Sequence, residues 1–229
     1  MKKFELTNEF VTNMFGTKLF RIRALVEFGD VEAGELGGYV EKESNLGHDD
    51  NAWVYDNAWV YGNARVYGDA LVYDNARVYG NAWVSGNAQV SGDARVSGDA
   101  RVYDNARVCG NALVRGNAWV YDNARVYGDA QVSGDARVCG DARVCGNGDY
   151  AYAHGFGSVN RTTTFFRLKD GGVGVRCGCF YGTLAQFRDK IRETHGETKK
   201  AQEYLMLADL MELRFEEDEN EVGNRKYVE

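Results

Sequence analysis

The chain has 229 residues, of which 44% are hydrophobic and 13% aromatic, and it contains 28 glycines and no proline. This composition is sufficient to bury a core and excludes an intrinsically disordered chain. The formal net charge of −7 excludes a polycation that would hold nucleic acid through bulk charge alone.

The first thirty residues contain no apolar stretch of the kind that a signal peptide or a membrane span requires. Five cysteines make an odd count, and none of them forms a Cys-x-x-Cys pair. We therefore expect a cytoplasmic protein with reduced thiols and no membrane partner.

Residues 1–37 are predicted to form an N-terminal cap. Within them, Phe20, Ile22 and Ala24 alternate with two arginines, a pattern typical of a half-buried strand. The glycines at 34, 37 and 38 then indicate turns before the next segment.

A six-residue repeat fills residues 51–146 without a gap and begins NAWVYD, NAWVYG, NARVYG. An alanine and a valine two residues later recur in every copy, and this spacing places both side chains on the same face of a strand. The variable residues then face outwards, and the Gly, Asp and Asn positions suit tight corners. So short a fixed period predicts a β-solenoid.

The repeat frame extends beyond these copies, so we predict a solenoid over residues 38–157. Val40 and Leu46 are six residues apart, whereas Val54 follows Leu46 by eight, which indicates a two-residue insertion near His48. After the last copy, the inward positions fall on Tyr150 and Phe156. We expect these two large rings to plug the open end of the solenoid.

The alanine–valine hexad resembles that of hexapeptide-repeat proteins, and the leader FRIRALVEFGDVEAGELGGYVEKESNL followed by NAWVYDNA is similar to YdcK-like proteins of bacteria and prophages. The likeness covers about residues 18–147. It implies a mainly β fold, a left-handed parallel β-helix with three hexads per coil. It also implies a phage or prophage origin.

Residues 158–229 are predicted to form a small α+β domain. Two strand-like segments, Thr163–Leu168 and Val173–Cys179, are joined by an Asp-Gly hairpin signal. The second segment places Cys177 and Cys179 on one face, where buried core thiols are favoured over a metal site.

Two helices and an acidic tail complete this predicted domain. Thr183 and Gln186 form a capping box ahead of the first helix, which Gly196 ends. The second helix is predicted from about Lys199 to Phe215, and the acidic tail over Glu216–Glu221.

Catalysis in hexapeptide-repeat transferases, as the resemblance implies, uses a histidine general base at a trimer interface. Here the three histidines, His48, His154 and His195, all lie outside the repeats. We therefore assign no catalytic residue, no metal and no cofactor, and an acyltransferase-like enzyme is retained only as an alternative.

Residues 18 apart would stack on one face of such a solenoid at a spacing of about 4.8 Å. One column alternates guanidinium and indole groups, which suits cation–π stacking; it consists of Arg65, Trp83, Arg101, Trp119 and Arg137. Another column ends in three arginines, which repel one another unless an anion or carboxylate joins them; it consists of Trp53, Leu71, Gln89, Arg107, Arg125 and Arg143.

Two interpretations of these columns remain open. In one, the arginines only keep the solenoid in solution, paired with aspartates at the corners. In the other, the columns form a binding surface, to which an early run of tyrosines that includes Tyr55 and Tyr61 adds a docking patch.

The favoured function is a non-catalytic scaffold or interaction protein that binds a host macromolecule, in the first place another protein. Binding of anions or nucleic acid through the arginine columns is a further alternative, with nucleic acid less favoured. The outward positions of Trp53 and Trp59, beside the early tyrosines, favour a homo-oligomer.

Overall fold

A computed structural model describes residues 2–157 and 161–216 of the chain. An antiparallel N-terminal cap is followed by a parallel β-solenoid and then by a small sheet covered by two helices. The predicted mainly β solenoid and the α+β unit behind it are confirmed; the handedness of the coil stays a prediction.

Each hexad forms a two-residue strand, made of one outward residue and the following valine. Strands pair in parallel with those one coil away, so that Gln89 lies beside Arg107 and Val90 beside Val108. This register gives the predicted coil of 18 residues, the same separation that joins the corner amides Asn63 and Asn81. Three hexads therefore complete one coil, and the solenoid has three faces.

The Arg–Trp face is a five-stranded sheet. Its strands are β6 (Arg65–Val66), β9 (Trp83–Val84), β12 (Arg101–Val102), β15 (Trp119–Val120) and β18 (Arg137–Val138).

The Arg-column face is a six-stranded sheet. Its strands are β4 (Trp53–Val54), β7 (Leu71–Val72), β10 (Gln89–Val90), β13 (Arg107–Val108), β16 (Arg125–Val126) and β19 (Arg143–Val144).

The Trp59 face continues the N-terminal cap. Its solenoid strands are β5 (Trp59–Val60), β8 (Arg77–Val78), β11 (Arg95–Val96), β14 (Leu113–Val114) and β17 (Gln131–Val132).

The interior of the solenoid consists of the repeated alanines and valines, all of which are fully buried from Ala52 to Val144. The corners need a backbone with positive φ, which glycine adopts at no steric cost and aspartate tolerates. Gly80 has a φ of 71° at such a corner, and Asp56 and Asp122 occupy equivalent corners at 51° and 57°. The alternation of Gly and Asp in the repeat thus follows from the turn.

Three antiparallel strands cap the N-terminal end: β1 (Phe4–Thr12), β2 (Lys18–Ala24) and β3 (Leu36–Val40). β3 then pairs in parallel with β5, so that the cap and the Trp59 face form a single eight-stranded sheet. A 3-10 turn, η1 (Glu43–Asn45), leads into the first coil.

The C-terminal unit is a four-stranded antiparallel sheet with two helices. Its elements are β20 (Tyr150–Phe156), β21 (Arg161–Arg167), β22 (Val173–Cys177), β23 (Phe180–Thr183), α1 (Leu184–His195) and α2 (Lys199–Phe215). The predicted hairpin and both helices are confirmed, and the Thr183–Gln186 capping box is present. Of the predicted acidic tail, only Glu216 lies within the described residues.

This sheet closes the C-terminal end of the solenoid. Phe166 is fully buried in the solenoid core together with Tyr150, whereas Phe165 packs against the helices. The prediction that Phe156 plugs the end was wrong: β20 turns away to pair with β21, and 42% of Phe156 is exposed. The plug is therefore Tyr150 with Phe166.

Cys179 also departs from its predicted place. β22 ends at Cys177, which is buried, and Gly178 adopts a φ of 59° that turns the chain. Cys179 consequently lies exposed beyond the strand.

Candidate binding surface

The Arg–Trp face brings its five predicted residues into one column. Consecutive strands place Arg65 beside Trp83, Arg101 beside Trp119, and Trp119 beside Arg137. The register that the 18-residue period predicts is therefore confirmed for every member.

Cation–π contacts link most of this column. The Arg101 guanidinium lies 4.9 Å from the ring centroid of Trp83 and 5.0 Å from that of Trp119. Arg137 lies 4.6 Å from the Trp119 ring on the other side. Each such contact contributes about 0.5–1 kcal/mol at an exposed site and restricts the rotamers of both partners.

Tyrosines extend the aromatic surface beside this column. Tyr67 packs edge-on against Trp83 with ring centroids 6.1 Å apart, and Tyr103 packs likewise against Trp119 at 6.2 Å. Tyr103 also stacks on Tyr121 at 5.0 Å. Burial raises the pKa of Tyr103 to about 12, so its hydroxyl stays protonated at neutral pH.

The corner aspartates do not neutralise these arginines. Within the described residues, no ion pair joins a solenoid arginine to a carboxylate. The Asp74 carboxylate instead accepts the backbone N–H of Gly92 at 2.9 Å, and Asp122 accepts that of Gly140 at 3.1 Å. The guanidinium groups therefore keep their hydrogen-bonding capacity for a ligand.

The Arg-column face stacks Arg107, Arg125 and Arg143 in three successive coils, as predicted. Arg107 and Arg125 are exposed. Arg143 is half-buried and donates from Nη1 to the carbonyls of Ala142 and Asn123 at 2.9 and 3.2 Å. Burial, followed by the charge of Arg125, lowers the pKa of Arg143 from its ordinary value, as expected for a crowded cation.

The early tyrosines do not form one patch, because consecutive hexads lie on different faces. Tyr55 follows β4 on the Arg-column face, and Tyr61 follows β5 on the Trp59 face. Tyr61 stacks on Tyr79 one coil further, with ring centroids 5.0 Å apart. Neither Tyr55 nor Tyr61 belongs to the Arg–Trp face.

Trp53 is not available for binding, contrary to the expectation that it lies outside. The N-terminal cap covers it completely, and the rings of Phe28 and Phe4 meet its indole edge-on at 5.3 and 6.2 Å. Trp59 stays half-buried beneath Arg77, whose guanidinium lies 4.6 Å from the ring. The burial of Trp53 removes one reason to expect a homo-oligomer, which stays a prediction.

The three histidines lie in three separate parts of the chain and have structural contacts. His48 Nδ1 accepts the backbone N–H of Lys3 at 3.2 Å, and its ring stacks on Phe4. His154 Nδ1 lies 2.9 Å from the Thr162 hydroxyl on the four-stranded sheet. His195 stacks on Tyr204 at the end of α1.

Residues 2–157 and 161–216 contain neither a metal centre nor a membrane-spanning helix beside this surface. No group of three or more His, Cys, Asp and Glu side chains there is arranged to hold a metal ion. None of the helices in these residues has the length and apolarity that crossing a bilayer requires.

The sequence interpretation missed Tyr67, Tyr103 and Tyr121 as neighbours of the Arg–Trp column. The 18-residue period contained that signal, because each follows the valine of a strand on this face. It also missed Asn45, a buried residue of η1 whose Nδ2 donates to the carbonyls of Gly62 and Ala64.

Comparison with known families identifies the repeat. The model of the YdcK beta solenoid repeat matches the chain seven times, at residues 58–72, 70–86, 88–104, 100–116, 106–121, 118–134 and 130–146. No curated protein matches the chain. The repeats of the solenoid are thus similar to the YdcK beta solenoid repeat within residues 58–146.

Proposed function

We propose that this YdcK-like β-solenoid protein is a non-catalytic scaffold that binds another protein through its Arg–Trp face. The observation that carries the proposal is the column from Arg65 to Arg137. In it, indole rings stack on the guanidinium groups of Arg101 and Arg137, and no carboxylate of the described residues forms an ion pair with the column arginines.

The chemistry of this face matches that of protein interfaces. Trp, Tyr and Arg are the residues that most often dominate binding energy at such interfaces. The Arg101 guanidinium stacks on the indole rings of Trp83 and Trp119. Because these contacts restrict the three side chains before a partner binds, less side-chain entropy is lost on binding. The free guanidinium donors favour a partner surface that carries carboxylates.

A capture experiment with paired variants tests this proposal. The face variant combines Arg101→Gln with Trp119→Ala, and the matched control combines Arg77→Gln with Trp59→Ala on the Trp59 face. We expect a protein retained by the wild type and by the control to be lost from the face variant. A protein retained equally by all three, or none retained above background, contradicts the proposal.

We infer the biological setting from the family resemblance. We expect the gene to be carried by a phage or prophage, the protein to act in the cytoplasm, and the partner to be a host macromolecule. Recovery of the same host protein by the wild type and the control, and not by the face variant, would support this setting.

A second candidate function is anion binding by the Arg-column face. Its support is the stack of Arg107, Arg125 and Arg143, where three like charges lie in successive coils. A linear phosphate-bearing ligand would relieve this repulsion by bridging the guanidinium groups.

Salt dependence tests the second candidate. We expect a fluorescent single-stranded oligonucleotide to bind with an affinity that falls as salt rises, and Arg107→Gln with Arg125→Gln to reduce that slope by about 0.7 per arginine removed. The matched control is Arg77→Gln with Arg95→Gln, which removes two stacked arginines from the Trp59 face. An equal effect of both pairs would mean that this column has no special role.

A further inference from the structure

The Arg–Trp column ends at Arg65. On that side, residues that precede the first hexad form part of one further coil. Leu46 bridges Val66 in parallel, and the backbone N–H of Gly47 donates to the carbonyl of Val66 at 2.8 Å. This register places position 45 above Arg65 and position 47 above Tyr67.

Neither of these two positions supplies an outward side chain. Asn45 is fully buried, and its Nδ2 donates to the carbonyls of Gly62 and Ala64 at 3.1 and 2.8 Å. Gly47 has no side chain, and a Cβ atom there would lie 3.2 Å from the Cβ of Tyr67. The place that an aromatic ring would occupy in the column above Arg65 is therefore vacant.

A pocket of about 270 Å³ occupies this place. It is lined by Ser44, Leu46 and Gly47 on the side of the partial coil and by Arg65, Tyr67 and Trp83 on the side of the column. The rings of Tyr67 and Trp83 are 80° apart in orientation, and both are more than one-third exposed.

The lining selects the chemistry of the occupant. The guanidinium of Arg65 disfavours a cation, whereas the flat faces of Tyr67 and Trp83 favour a planar ring. Further along the column, Arg101 lies between two indoles, at 4.9 and 5.0 Å. Arg65 pairs with Trp83 in the strand register, so a ring above Arg65 would place this arginine between two aromatic residues of the column.

We propose that the pocket receives a tryptophan or tyrosine side chain from an acidic segment of the protein that binds the Arg–Trp face. This inference rests on the proposed function and adds to it the anchor residue of the partner. The volume accommodates a single side chain, and the unneutralised arginines of the column meet the carboxylates that flank the ring.

Peptide titration of the full chain tests the anchor. The probe is the acetylated and amidated peptide DEWDE, compared with DEADE, which keeps the charges and lacks the ring. The chain has 4 Trp, so nitrogen-15 labelling of the indoles gives four separate signals. We expect DEWDE to shift the Trp83 signal, to leave the buried Trp53 signal unchanged, and to bind about tenfold more tightly than DEADE.

Two variants place the effect in the pocket. Arg65→Gln removes the cation of the pocket, and Arg137→Gln removes its counterpart at the far end of the column, so only the first should abolish the preference for DEWDE. Equal binding of the two peptides overturns the anchor, and so does a preference that survives Arg65→Gln.

If both peptides bind equally and binding weakens in Arg101→Gln, the proposed function stands without the anchor. If neither peptide shifts an indole signal, the anchor is likewise overturned, and the face-variant capture experiment decides the proposed function separately.

Discussion

At the scale of single residues, two buried side chains in each hexad form the core of the solenoid. Ala and Val face the interior at every repeat and pack into one continuous core. Their positions and the Gly or Asp corners were predictable from the sequence, because a spacing of two and a positive φ are local requirements. The burial of Trp53 was not, because its outward position is the same as that of exposed Trp83 and only the distant cap covers it.

Val90 tests the interior of the solenoid. It lies fully buried in the middle of the stack, between Val72 and Val108. Val90→Asp would bury a charge without a partner, and we expect it to lower the free energy of unfolding by about 4 kcal/mol or more. The control is Gln89→Asp, which introduces the same aspartate at the adjacent outward residue. For this variant we expect the free energy of unfolding to fall by less than about 1 kcal/mol.

Chemical denaturation followed by circular dichroism measures both changes. Similar losses for the two variants would mean that residues 89 and 90 do not differ in their exposure to solvent. That result would contradict the assignment of the inward face.

The burial of Lys3 predicts that the stability of the cap depends on pH. Only 3% of the residue is exposed, and its Nζ donates to the carbonyls of Asp50 and Ala52 at 3.1 and 2.8 Å. Burial lowers the pKa of Lys3 from 10.5 to about 8, against the opposing effect of nearby aspartates. Between these two values the unfolded chain keeps a proton that the folded chain has released, so this group makes stability rise with pH.

Comparison of the wild type with Lys3→Met isolates this effect. We expect the stability of the wild type, relative to the variant, to increase as the pH is raised from about 8 towards 10. Thermal unfolding at a series of pH values measures the difference. A relative stability that is flat or falls across this range would contradict a lowered pKa.

At the scale of elements, the two ends of the solenoid are closed by different means. At the C-terminal end, a sheet strand is held against the last coils, where Tyr150 donates to the carbonyl of Gln131 at 2.5 Å. At the N-terminal end, the amide of Asn45 takes the place of a strand N–H, since it donates to the carbonyl of Ala64. Both devices protect strand edges that would otherwise pair with other chains.

Asn45→Ala tests the N-terminal closure. The substitution leaves the carbonyls of Gly62 and Ala64 without their amide donor, and we expect a loss of about 1–3 kcal/mol in stability. Asn63→Ala is the control, because Asn63 is exposed and contacts the amide of Asn81 on the surface. If denaturation shows equal losses, Asn45 has no special role in closing the coil.

The elements differed in how far the sequence could define them. α2 has the predicted bounds, because its apolar spacing and its flanking residues are local signals. The pairing of β20 with β21 was not predicted, since continuing the repeat frame gave Phe156 an inward position that antiparallel pairing does not provide. The register of the Arg–Trp face needed only the period of the repeat.

At the scale of the whole molecule, the chain is a prism capped at both ends, with its three faces available for different roles. The Trp59 face is continuous with the N-terminal cap, and the Arg-column face presents a run of cations. The Arg–Trp face combines stacked cations with exposed rings and ends at the pocket above Arg65. Partner binding is assigned to this last face.

Site-specific photo-crosslinking tests that assignment most directly. Ser85 lies on the Arg–Trp face between Tyr67 and Tyr103, and Ser97 has the equivalent, half-buried position on the Trp59 face. A photoreactive phenylalanine analogue replaces one serine or the other in the full chain, which is then irradiated in host cells. The assignment of partner binding to the Arg–Trp face predicts a discrete adduct with one protein from position 85 and none from position 97. Adducts of equal yield from both positions, or from position 97 alone, would contradict it.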